Sequence, residues 1–100
     1  MIRHVAVFRF VPEFTVAQRE SWMAMLRRLP EQIPQLRSMS VGTDVLGGPA
    51  SHELAIVADF DDLDGLEAYT RHPAHVEVLR VSAPVKASLA TVDFEIADPS

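Results

Sequence analysis

Cysteine is absent from the 100 residues of the chain. That absence excludes disulfides, thiolate nucleophiles and Cys-ligated zinc. Long hydrophobic runs are missing too, and no stretch approaches the ~20 apolar residues that a membrane span requires. The opening MIRHVAVFRFVPEF interrupts its apolar residues with Arg and His, so it does not read as a signal peptide. Basic residues are a minority, nine against fourteen acidic ones, for a formal net charge of -5. With no dense Lys/Arg cluster to neutralise phosphates, neither nucleic acid nor an anionic membrane surface is an expected partner. Glycine is scarce, at four residues, and the two in LGGPAS do not join a strand to a helix as a phosphate cradle requires. The G-x-S-x-G and H-E-x-x-H patterns are absent as well. These absences lead to the expectation of a soluble, cytoplasmic protein.

What is present is apolar. Hydrophobic residues make up 48% of the chain and charged residues 23%, so the chain has enough apolar surface to fold. Its length fits one domain, residues 1–100, with a thin core. An apolar surplus in so small a chain calls for a cavity or a subunit interface, and an interface is the expectation.

The first segment, IRHVAVFRFV, alternates with period two. Ile2, His4, Ala6, Phe8 and Phe10 share one face, while Val5 and Val7 lie on the other. Pro12 ends this strand. Thr15 and Gln18 have capping-box spacing, and the pattern predicts a helix over residues 16–29 with Trp22, Met25, Leu26 and Leu29 as its buried stripe. Pro30 and Pro34 are expected to break it. SMSVGTDV reads as a second strand in which Gly42 marks a bulge or a close backbone approach. HELAIVADF reads as a third strand. Asp61 or Asp62 then caps a helix that turns Leu63, Leu66 and Tyr69 toward the sheet. Pro73 stops that helix and starts the next, in which Val76 and Leu79 are expected to point inward. ASLATVDFEI is the last strand, with Val92, Phe94 and Ile96 on one face.

The resulting order is β-α-β-β-α-β with an extra helical piece before the last strand. This predicts an α+β, ferredoxin-like fold with a four-stranded antiparallel sheet. Helices cover one face of such a sheet. The other face here includes Val5, Val7, Ala55 and Val57, so a homodimer formed sheet to sheet is expected.

Two of the four histidines and the single tyrosine fall in YTRHPAH. Histidine titrates near neutrality and both takes and gives protons. A tyrosine hydroxyl can donate a hydrogen bond to a carbonyl oxygen as it gains charge. His75, Tyr69 and His4 are therefore the candidate catalytic residues, for proton abstraction next to a carbonyl in a condensation, isomerisation or lactone rearrangement. Each also has a structural reading. Tyr69 lies on an apolar helical stripe, His75 is placed to fix a helix junction, and His4 shares a face with Ile2, Phe8 and Phe10. His72, before proline at a helix end, is expected to meet the helix dipole or cap free carbonyls. His52 is expected to be solvated. No metal set is expected, because Pro73 separates His72 from His75 and no carboxylate is placed to complete three imidazoles. DFDDLD reads as helix N-terminal charge rather than a calcium loop.

Taken together, IRHVAVFRF, LRRLPEQIPQLRSMSVGTDV, ELAIVADFDDLDGLEAY, HPAH and VDF give the chain a resemblance to the stress-responsive α/β-barrel (Dabb) family over nearly its whole length. The resemblance implies ferredoxin-like chains that dimerise into an α+β barrel, mostly without an assigned activity. It also implies kinship with a plant cyclase that closes a polyketide by aldol condensation without metal or organic cofactor, and with monooxygenases of the wider superfamily. By the same resemblance His75 corresponds to the cyclase acid/base, Tyr69 and His4 to pocket residues, and His72 also has a counterpart. After HPAHV the cyclase has a small, glycine-containing stretch, whereas this chain has EVLRVSAPV, a difference that bears on pocket size. Three functions follow as expectations. One is a cofactor-free lyase or isomerase acting on a carbonyl compound. The second is a non-catalytic module that serves stress tolerance as a stable barrel or holds a small apolar ligand. The third is a cofactor-independent monooxygenase.

Overall fold

Strand β1, Ile2–Phe10, forms the spine of the molecule because it is paired on both edges. In the computed structural model, which describes residues 1–98, β1 runs antiparallel to β3 (Leu54–Phe60) on one side and to β4 (Lys86–Glu95) on the other. Strand β2 (Leu36–Thr43) completes the four-stranded sheet in the order β2-β3-β1-β4. Three helices connect the strands: α1 (Val16–Gln32), α2 (Leu63–Arg71) and α3 (Pro73–Ser82). This is the ferredoxin-like arrangement with the helical piece before β4 divided in two.

The alternation in β1 and β3 fixes which face is buried. Ile2, Ala6, Phe8, Phe10, Leu54, Ile56, Ala58 and Phe60 all lie under the helices, each at most 8% exposed. The opposite face carries Val5, Val7, Ala55 and Val57, and the register adds Val92 and Phe94 of β4 to it. Among the described residues, no helix covers that side. Val92 is 60% exposed and Phe94 44%, well above what large apolar side chains show in a core.

Helix α1 begins where its capping box predicts. Thr15 Oγ1 accepts from the Gln18 N–H at 3.1 Å, and Gln18 Oε1 accepts from the Thr15 N–H at 2.9 Å. Its buried face is Trp22, Met23, Leu26 and Leu29, so Met23 takes the place expected for Met25, which is only partly buried. Fully burying each such side chain is worth ~1.5–3 kcal/mol. Contrary to expectation, Pro30 does not end the helix. It sits in the last turn, where it removes one intrahelical bond, and α1 continues to Gln32. The stop falls at Ile33, which adopts an extended conformation before Pro34 while its N–H still donates to the Leu29 carbonyl.

Other expectations need correction at the level of residues. Strand β2 starts two residues earlier than SMSVGTDV implied, and Gly42 marks no bulge: the space where a side chain would begin there is open. The register shifts lie instead between Leu36 and Ser38 and between Arg9 and Phe10. Leu63 is 65% exposed rather than turned to the sheet. In α3 the buried residues are Val78 and Ser82, while Val76 faces outward and Leu79 is 38% exposed. The cause is helical phase: the chain enters α3 at Pro73 with His72 as its N-cap, and Ala74, Val78 and Ser82 then fall one turn apart on the inner side.

Candidate active site

The junction YTRHPAH folds as two helices that share one capping residue. His72 ends α2, its N–H donating to the Tyr69 carbonyl, and it begins α3, where its Nδ1 accepts the Ala74 N–H at 3.1 Å. The expected capping role is therefore fulfilled, but at the start of α3 and by an accepting nitrogen instead of a carbonyl-capping imidazolium. His72 is occupied by the backbone. His75, in the first turn of α3, is free to face elsewhere.

His75 packs on Tyr69, with ring centroids 4.2 Å apart and planes inclined by 36°. Its Nδ1 lies 3.2 Å from the Thr70 carbonyl oxygen. A carbonyl only accepts, so Nδ1 carries the proton and the neutral ring keeps its lone pair on Nε2. Burial lowers the pKa of this imidazole, the Thr70 carbonyl partly offsets that, and His4 nearby lowers it further. The net effect favours a neutral ring with its Nε2 lone pair available.

Tyr69 is 2% exposed, with its ring tilted against Phe60 at 5.0 Å and against His4 at 6.4 Å. Burial pushes its hydroxyl far above the ordinary phenol range, so it stays protonated and is able to donate. His4 approaches from β1. Its Nδ1 is 2.6 Å from Asp93 Oδ1 on β4, the residue directly opposite it in the strand pairing. A carboxylate accepts, so His4 Nδ1 donates and Nε2 is left for other partners.

His4, Tyr69 and His75 line one cavity of about 170 Å³ between the helices and the sheet. Ala6, Phe8, Ile56 and Val78 make most of its wall apolar, and Leu79, Leu89 and Thr91 border it toward β4. The three predicted residues thus come together from β1, α2 and α3. His52 does not join them: it is half-buried rather than solvated, and borders the uncovered face of the sheet with Val7 and Val57. Among the described residues, no three His, Asp or Glu side chains gather closely enough to hold a metal ion. Sequence reasoning missed Asp93. Placing Val92 and Phe94 on one face does put Asp93 on the other, but its partner depends on the β1–β4 register.

Fold and cavity together define a ferredoxin-like α+β domain with a histidine- and tyrosine-lined site between helices and sheet. The chain belongs to the Stress Responsive A/B Barrel Domain family, whose model matches residues 2–96. It is similar to olivetolic acid cyclase of Cannabis sativa, with 27% identity over 77 residues that cover 75% of this chain and 76% of the cyclase. Among solved structures it resembles a dimeric ferredoxin-like protein of unknown function from Thermobifida fusca. That pair shares 37% identity with a TM-score of 0.87, over 95% of this chain and 90% of that one. A dimeric protein of unknown function from Bacteroides fragilis is 28% identical with a TM-score of 0.79, over 95% of each chain. No helix among the described residues is long and apolar enough to cross a membrane.

Proposed function

We propose that this protein catalyses proton transfer at the carbon next to a carbonyl, using His75 as the base and Tyr69 as the hydrogen-bond donor to the carbonyl oxygen. His75 Nε2 removes the proton, and the electron pair moves into the carbonyl to give an enolate whose oxygen is met by the Tyr69 hydroxyl. The enolate then attacks a second carbonyl carbon, as in a condensation, or regains its proton at another position, as in an isomerisation. The His75 imidazolium formed in the first step returns its proton, to carbon in an isomerisation or to the new alkoxide oxygen in a condensation. His4 Nε2, its ring oriented by Asp93, offers a second proton acceptor in the cavity. The observation that carries this reading is the sharing of one cavity by a neutral imidazole and a protonated phenol whose rings are 4.2 Å apart. Similarity to a cyclase is consistent with chemistry of this class.

The working form in this reading is a homodimer. Among the described residues the sheet face bearing Val5, Val7, Val92 and Phe94 has no helix to cover it, and a second copy of the same apolar face is its natural complement. Two similar chains from other organisms are themselves dimeric.

The apolar wall favours a second reading, a module that holds a small apolar or carbonyl ligand without turning it over. Exchange of the α-protons of cyclohexanone in deuterium oxide, followed by proton NMR, separates the two. Exchange above the buffer rate that His75→Asn abolishes supports the enzyme. Binding of cyclohexanone with exchange at the buffer rate assigns the cavity to the module.

A further inference from the structure

Trp22 is the only tryptophan in the chain and is 1% exposed. Its indole is held on several sides. Nε1–H donates to the Val78 carbonyl at 3.0 Å, and Phe8 and Phe10 meet the ring edge-on at 5.4 and 5.7 Å. The accepting carbonyl belongs to α3, about one turn beyond His75, so Trp22 joins α1 to the helix that carries the base. Trp22 also lines the cavity with His4, Tyr69 and His75. Swinging the indole aside would leave a buried N–H without a partner and break both aromatic contacts, a cost that fixes the wall in place.

A fixed wall makes the volume a selection rule. The pocket measures about 170 Å³ and is only partly enclosed, and an enclosed apolar cavity of ~150 Å³ holds one benzene molecule. We infer that Trp22 determines ligand size at this site, admitting single-ring or short-chain carbonyl compounds and excluding fused rings. The inference rests on the cavity being the ligand site, and it holds whether or not the ligand is turned over.

The test is calorimetric titration of the wild-type protein, Trp22→Leu and Trp22→Phe with cyclohexanone and with tetralone, a fused two-ring ketone. Thermal melts monitored by circular dichroism check that each variant is folded. Wild type is expected to bind cyclohexanone at least about tenfold more tightly than tetralone. Trp22→Leu is expected to raise tetralone affinity about tenfold, and Trp22→Phe, which removes one ring of the indole, to raise it less but in the same direction. If Trp22→Leu does not fold, the Phe variant decides. Equal binding of the two ketones by wild type, or an unchanged ratio in the folded variants, overturns the inference. Cyclohexanone binding without proton exchange would defeat only the catalytic reading and leave the size limit supported. No binding of cyclohexanone by wild type would defeat both.

Discussion

The rings of Tyr69 and His75 stack 4.2 Å apart although a proline and a helix boundary lie between them in the chain. The contact exists because α2 ends and α3 begins at the same residue, His72, so the chain turns sharply and brings the last turn of one helix against the first turn of the next. A phenol and an imidazole in contact within a largely apolar pocket place a donor beside a base.

Tyr69→Phe tests the donor alone. The substitution keeps the ring against Phe60 and His75 and removes only the hydroxyl, so stability is expected to change by less than about 1 kcal/mol. If the hydroxyl meets the developing enolate oxygen, the rate of α-proton exchange in cyclohexanone falls about a hundredfold. An unchanged rate in the folded variant would remove Tyr69 from the mechanism.

Asp93→Ala separates orientation from stability. The His4–Asp93 pair is open to solvent, with side-chain exposures of 19% and 39%, and pairs of this kind contribute at most about 1 kcal/mol. The melting temperature is therefore expected to move little. The exchange rate is expected to fall about tenfold with little change in KM, because His4 loses the group that fixes its ring. A melting temperature that collapses with an unaltered rate would assign the pair to structure instead.

Acid should destabilise the protein through His75, and the sign follows from the direction of its pKa. The unfolded chain titrates near the ordinary value of 6.5, while burial depresses the native value below that. Above the unfolded value both states are neutral, and the group contributes nothing to pH dependence. As pH falls from there through the native value, the unfolded state takes up a proton that the native state resists, so stability is lost across that window. Thermal melts between about pH 7.5 and about pH 5 should therefore show a smaller decline for His75→Asn than for wild type. Parallel declines would mean that His75 is not the group responsible.

Val92→Asp tests the dimer. It places a charge on the uncovered apolar face beside Val5, where a second copy would have to bury it. Sedimentation at micromolar concentration should find wild type as a dimer and the variant as a monomer with an unchanged far-ultraviolet circular dichroism spectrum. A monomeric wild type would rule out the sheet-to-sheet interface.

The strands were legible because period-two alternation of Val, Ile and Phe assigns residues to faces without reference to the rest of the chain. Helix starts were legible as well, since Thr15 with Gln18 and Asp62 with the Gly65 N–H are local capping events. The phase of α3 was not. Its apolar residues fit two neighbouring faces, and the choice of Val78 over Val76 and Leu79 came from the His72 cap and the reach of Trp22 to the Val78 carbonyl. Pro30 misled for a related reason: a proline near a helix end removes only one bond, and packing of Leu29 and Ile33 keeps the last turn in place.

The sequence alone determined the α+β class and the covered and uncovered faces of the sheet, and it marked Tyr69, His75 and His4 as candidate site residues. These follow from local periodicity and from residue type. Tertiary structure decided what those side chains meet. Strand register set Asp93 opposite His4, the shared cap at His72 drew Tyr69 onto His75, and the indole of Trp22 bounded the space they enclose. Register, helix phase and cavity volume arise from contacts between residues distant in the chain, which no local pattern encodes.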